Sequence, residues 1–268
     1  MKVCYVAVNT FRSLVRTRAV LLVFLLFFLL IAVGSISALY FAAQLEQAGG
    51  AEQSRLIITH QLERQLRVYA VYAFIVCALA AAFALPTEIR TGTALPTLGR
   101  ALPRSRFLLG LFLGVNLVLG AYLLLGIAVS AALFWWTGTG FGLHMLWGLL
   151  YVVLAGNIVA ALTLFFSTHL SPLMSLICLV FFLQLPQLSG LVRLYSQVWG
   201  DRALAAISYL LPVWDLLDYS AHLSLTSAPA EFSGQLALVG VAHALDYVAV
   251  FLLLAMWVFR RKSLMPPS

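Results

Sequence analysis

From Ala19 to Ala43 the chain runs for 25 residues without a charged side chain. A helix of about 20 apolar residues crosses the roughly 30 Å hydrocarbon core of a bilayer. A helix with no polar face must be enclosed by protein or meet lipid. Comparable runs recur and place spans at 19–43, 68–85, 107–136, 143–166, 172–185 and 236–259. The third exceeds what a bilayer needs, so it must tilt or begin in the interface. Only 9% of residues are charged, against about 25% in soluble domains. The expected fold is an all-α polytopic membrane protein: six transmembrane helices in a single domain over 1–268.

The cations orient these spans. Eleven of the 16 Lys and Arg residues fall in three clusters. The first is Lys2, Arg12, Arg16 and Arg18; the second is Arg90, Arg100, Arg104 and Arg106; the third is Arg260, Arg261 and Lys262. Short basic segments stay in the cytoplasm. An even number of spans separates each pair of clusters, so both termini are expected there. The net charge of +7 is therefore a topology signal beside anionic lipid heads, not a nucleic-acid footprint.

The connecting segments add detail. Over 1–18, Lys2, Asn9 and Arg16 form a polar stripe, and Val3, Val6, Ala7, Phe11, Leu14 and Val15 form an apolar side. This predicts an amphipathic helix lying in the membrane interface; a frayed basic terminus is the alternative. The basic and apolar stretches at the start exceed signal-peptide dimensions, so span 1 is expected to be retained. Residues 44–67 are charge-balanced and broken by Gly49-Gly50, and Ser54–Arg67 can run on into span 2, which Pro86 is expected to end. Trp135, Trp136 and Trp147 flank the glycine-rich link 137–142 as an interfacial belt. Ser167–Ser171 reads as a tight cytoplasmic turn. The outer segment 186–235 is expected to hold short helices. Its Asp215 and Asp218 lack a third ligand and read as a solvated rim, and Cys4, Cys77 and Cys178 form no disulfide or metal framework.

The segment 87–106 between spans 2 and 3 is too long for a simple turn. Thr93 can cap a short helix from Ala94, and Pro96 suits its first turn. In order it carries Glu88, Arg90, the Gly92-Thr93 pair, Leu98, Pro103, Arg104 and the Ser105-Arg106 pair, with Gly110 just beyond. This order resembles the ABC-2 type permeases, the membrane subunits of ATP-driven exporters. The stretches Asn9–Arg18 and Leu210–Tyr219, and the layout of six spans with a long outer segment before the last, are also similar. Within the family the pattern is nearest to permeases of the nitrous-oxide-reductase maturation type. The resemblance implies that 87–106 is a coupling helix docking into a separate ATPase, with the turn at 167–171 as a smaller contact. It implies a bacterial inner-membrane location, a homodimer by default or else a heterodimer, and ATP with magnesium bound by the partner ATPase. A basic loop that only enforces topology is the alternative.

The chain carries no cofactor signature and no enzyme motif of its own. A P-loop needs a Gly-Lys pair beneath the phosphates; the two lysines, Lys2 and Lys262, do not follow glycine. There is no His-Glu-x-x-His helix and no Gly-x-Ser-x-Gly elbow. Inside the spans, Asp246 stands one turn after His243. An acid at mid-bilayer costs about 2.5–3.5 kcal/mol, so it is expected to face protein or water. It reads equally as part of a transport path and as a structural hydrogen bond. Asn116 and Asn157 are candidates for the same path, with helix–helix hydrogen bonds the commoner use. An ion- or proton-coupled carrier using His243 and Asp246 is the rival function.

Overall fold

A computed structural model describes residues 2–47, 49–90, 103–137, 143–184 and 234–261. Among them are seven helices and no strand: α1 (Lys2–Val15), α2 (Arg18–Gln47), α3 (Ala51–Arg90), α4 (Arg104–Thr137), α5 (Leu143–Ser167), α6 (Pro172–Gln184) and α7 (Gly234–Arg261). Five are long and apolar enough to cross a membrane, through Arg18–Gln47, Arg67–Ile89, Arg104–Val129, Gly148–Ser167 and Leu238–Arg261. The fifth expected span, 172–185, is described as the shorter apolar helix α6. The segments 91–102, 138–142 and 185–233 lie outside the described residues, and with them Gly92, Thr93, Leu98, Asp215, Asp218 and the expected outer helices.

Helix α2 shows why a low-polarity helix can still have direction. Val20, Val23, Phe27, Ile31, Ser35, Ala38 and Ala42 form its buried row. Leu21, Leu25, Leu29 and Ile36 are exposed on other sides. The buried row repeats at steps of three and four, as one helical face does, and the outer face is equally apolar because lipid suits it. The helix stops at the glycine pair foreseen. Gly49 takes φ 84°, its N–H donates to Glu46 O, and the Gly50 N–H donates to Leu45 O. That pair of bonds is the Schellman closure of a helix end, where a left-handed residue favours glycine.

Helix α3 is the central post, packed against α2, α4 and α5. Its Ala73, Cys77, Ala80, Ala81 and Ala84 are buried, and small residues let neighbouring backbones approach without a hydrophobic driving force between helices. An aromatic knot ties α2, α3 and α4. The ring of Phe27 lies 5.4 Å from that of Tyr69 and 4.3 Å from that of Tyr122. The Tyr69 hydroxyl donates to Gly126 O on α4, and the Tyr122 hydroxyl donates back to Tyr69 O. Higher up, Gln65 Nε2 donates to Ser35 Oγ at 2.7 Å.

One expectation is corrected here. Pro86 does not end the second apolar helix, which continues to Arg90 with Pro86 inside it. Proline removes one i→i−4 bond; burial of Ala84 and Leu85 and the bonds that Glu88 accepts from Asn9 and Thr10 offset that local loss. On its apolar side α1 buries Val6, Ala7 and Leu14, and it packs mainly along α4.

Candidate functional site

The start of α4 and the end of α7, both carrying arginines, meet at one end of the bundle. Helix α1 lies on the first turns of α4, where Gly110 and Gly114 leave room for it. A Cβ added at Gly110 would lie 2.7 Å from Val6 Cβ, and one at Gly114 would lie 2.7 Å from Thr10 Cβ. The end of α3 reaches the same place. The Asn9 amide Nδ2 donates to Glu88 Oε1 at 3.2 Å, and the Thr10 hydroxyl donates to the same oxygen at 3.4 Å. Glu88 is only 4% exposed. A buried carboxylate needs such donors, because desolvating it without them is costly.

The other side of the segment is fastened as well. Pro103 O receives the N–H groups of Arg106 and Phe107 and so opens α4. Arg104 Nη1 donates to Phe259 O at 3.2 Å and to Arg260 O at 2.9 Å, at the C-terminus of α7. Arg106 and Pro103 are exposed, and Ser105 is half-buried. Arg90 closes α3. Both ends of 87–106 are therefore anchored: Glu88 to α1, Arg104 to α7.

Helix α5 ends at this level too. Ala244 packs among Tyr151, Leu154, Ala155 and Ile158, and further along both helices Phe251 meets Phe165. The two helices thus run in the same direction, toward Arg104. The turn after α5 is tight: Thr168 and His169 amides bond back to Phe165 and Phe166 carbonyls. Ser171 then opens α6, its Oγ accepting the Met174 N–H at 3.5 Å and Pro172 taking the first helical position, where a missing N–H is harmless. His169, Leu170 and Ser171 are exposed.

No family model and no curated protein matches this chain.

The candidate path residues do not form one constellation through their amides. Asn116 Nδ2 donates to Phe112 O and Asn157 Nδ2 to Val153 O. Each serves its own helix, four residues back, and not a neighbouring helix as expected. The His243 ring lies 4.7 Å from the Tyr247 ring. Asp246 is exposed on α7, beside Leu245 and Val250. Sequence reasoning missed three roles at the basic end. Asn9, placed on a wet stripe, turns inward to Glu88. Thr10 was not singled out. Gly114 was not joined to Gly110, although small residues four apart are a legible helix-packing signal.

The Glu88 cluster yields a first prediction. Asn9→Ala removes a donor to a buried carboxylate and is expected to weaken the seating of α1 by about 1–3 kcal/mol. Glu88→Gln keeps an acceptor oxygen and is expected to cost less. Thermal unfolding of the detergent-solubilised protein checks the order; a Glu88→Gln loss larger than that of Asn9→Ala would refute it.

Proposed function

We propose that this chain is the permease subunit of an ABC-2 type ATP-driven exporter in a bacterial inner membrane. Six spans, the fifth beginning with α6, would form half of a path completed by a second permease copy. The segment 87–106 is the coupling segment, the basic end is cytoplasmic, and α1 is the entry helix seated on the first turns of α4. ATP and magnesium belong to a separate ATPase, which closes on nucleotide and displaces the segment. The observation that carries this reading is the double anchorage. A segment fixed at Glu88 to α1 and at Arg104 to α7 transmits a push into the bundle, whereas a loop that only enforces topology needs no such attachment.

Glu88 and Arg104 then act inside the bundle, and the exposed Arg106 faces an ATPase groove. Arg106→Glu is expected to lower permease-stimulated ATP hydrolysis by about tenfold or more, equivalent to about 1.4 kcal/mol, without loss of membrane insertion. Co-purification with an ATPase encoded beside it tests the partnership itself. Failure of every such ATPase to associate would overturn the reading. The rival is a gradient-driven carrier using His243 and Asp246. It predicts transport into vesicles without any ATPase, abolished by Asp246→Asn.

A further inference from the structure

We propose that Arg104 is a positioning residue: it clamps the last turn of α7 to the first turn of α4, so that α7 travels with the 87–106 segment. Its functional consequence rests on the coupling role given to that segment above. The clamp itself is a property of this chain alone.

The last turn of a helix has carbonyls without intrahelical partners and carries the negative end of the macrodipole. In α7 the cations nearest in sequence do not fill that need. The Arg261 guanidinium lies 4.1 Å over the Trp257 ring, and Arg260 is exposed. Arg104 comes from another helix, 155 residues away in the chain, and donates to two successive carbonyls. Three residues further along α4, on the same face, Phe107 stacks on Phe259 with centroids 6.3 Å apart and planes 19° from parallel. Both rings are 1% exposed. A polar cap and a ring stack on adjacent turns resist separation and rotation together.

The clamp gives motion a second route. A displacement at the end of 87–106 reaches α7 through Arg104 without passing through α2 or α3. It therefore moves the helix that bears His243 and Asp246. Lysine is an imperfect substitute, because its point charge cannot reproduce a planar, multi-donor head.

The test is double electron–electron resonance on the full chain in lipid nanodiscs, with Cys4, Cys77 and Cys178 replaced by alanine. Nitroxides at Val8 and Arg260 read α7 against α1, which is seated on α4. Nitroxides at Val8 and Leu124 read α1 against α4. Val8, Leu124 and Arg260 are exposed. Arg104→Gln is expected to broaden the first distance distribution and leave the second unchanged. Arg104→Lys is expected to narrow the first again in part. An unchanged first distribution in Arg104→Gln overturns the proposal. So does equal broadening of both, which would make Arg104 a general bundle residue. No ATPase or nucleotide enters the measurement, so a chain that binds no ATPase leaves the result standing. Loss of the clamp, conversely, leaves the co-purification assay to be decided on its own.

Discussion

Gly114→Leu is expected to unseat α1 from the bundle. A Cβ at this position meets Thr10 Cβ at 2.7 Å, Thr10 Cγ2 at 2.9 Å and Ala7 O at 3.0 Å. Two of these are atoms fixed to the α1 backbone, so no side-chain rotation relieves the clash. Alanine alone requires a backbone shift, and overpacking of this kind costs about 1–3 kcal/mol. Leucine adds three further carbons along the same line. Helix α1 then lifts, Thr10 and Asn9 leave Glu88, and the Val6–Leu14 face opens. The measurement is maleimide labelling at Leu14→Cys, a position 1% exposed in the parent. Labelling is expected to accelerate by about tenfold or more, since each 1.4 kcal/mol of lost seating is a factor of ten in the open population. Equal protection in both backgrounds would show that α1 does not depend on the glycine face.

Phe27→Ala is expected to be the most destabilising single change within the apolar region. The ring is fully buried and touches Tyr69, Tyr72 and Tyr122. In lipid little transfer energy is lost, because the tails are as apolar as the core. The loss is the cavity: about 100 Å³ at about 24 cal/mol per Å³ gives about 2.5 kcal/mol. The two tyrosine hydroxyl bonds would also loosen, since the ring holds both phenols in register. Phe27→Leu, which fills most of the volume, is expected to recover over half of the loss. Steric-trap or denaturant unfolding in mild detergent checks both values. A loss for Phe27→Ala no greater than that for a lipid-facing change such as Leu25→Ala would contradict the knot.

The spans were legible because lipid leaves no ambiguity: uncharged runs long enough to cross can do little else. The break at Gly49-Gly50 was legible for a local reason, since a left-handed helix end suits glycine. Pro86 misled because its penalty is local while its compensation is not. Glu88, two residues on, is held by Asn9 and Thr10 of α1, and no window of sequence around 86 contains those partners. Asn9 misled in the same way. Its spacing with Lys2 and Arg16 marks a polar stripe, but not whether the stripe meets water or a carboxylate 79 residues away. Arg104 was legible as a cation at the right end of a span. That its head would close another helix was not, because a helix end is an acceptor without a sequence signature.

The continuity of α3 has a mechanical consequence. At 40 residues and about 1.5 Å per residue, it is roughly 60 Å long, about twice the hydrocarbon thickness. It contains no glycine, and its one proline lies in the final turns. The stretch 51–66 therefore extends the rod past the span Arg67–Ile89, beside the later turns of α2 where Gln65 meets Ser35. A nanobody raised against that stretch would tilt the helix as one rod as far as Pro86, the single joint before Glu88.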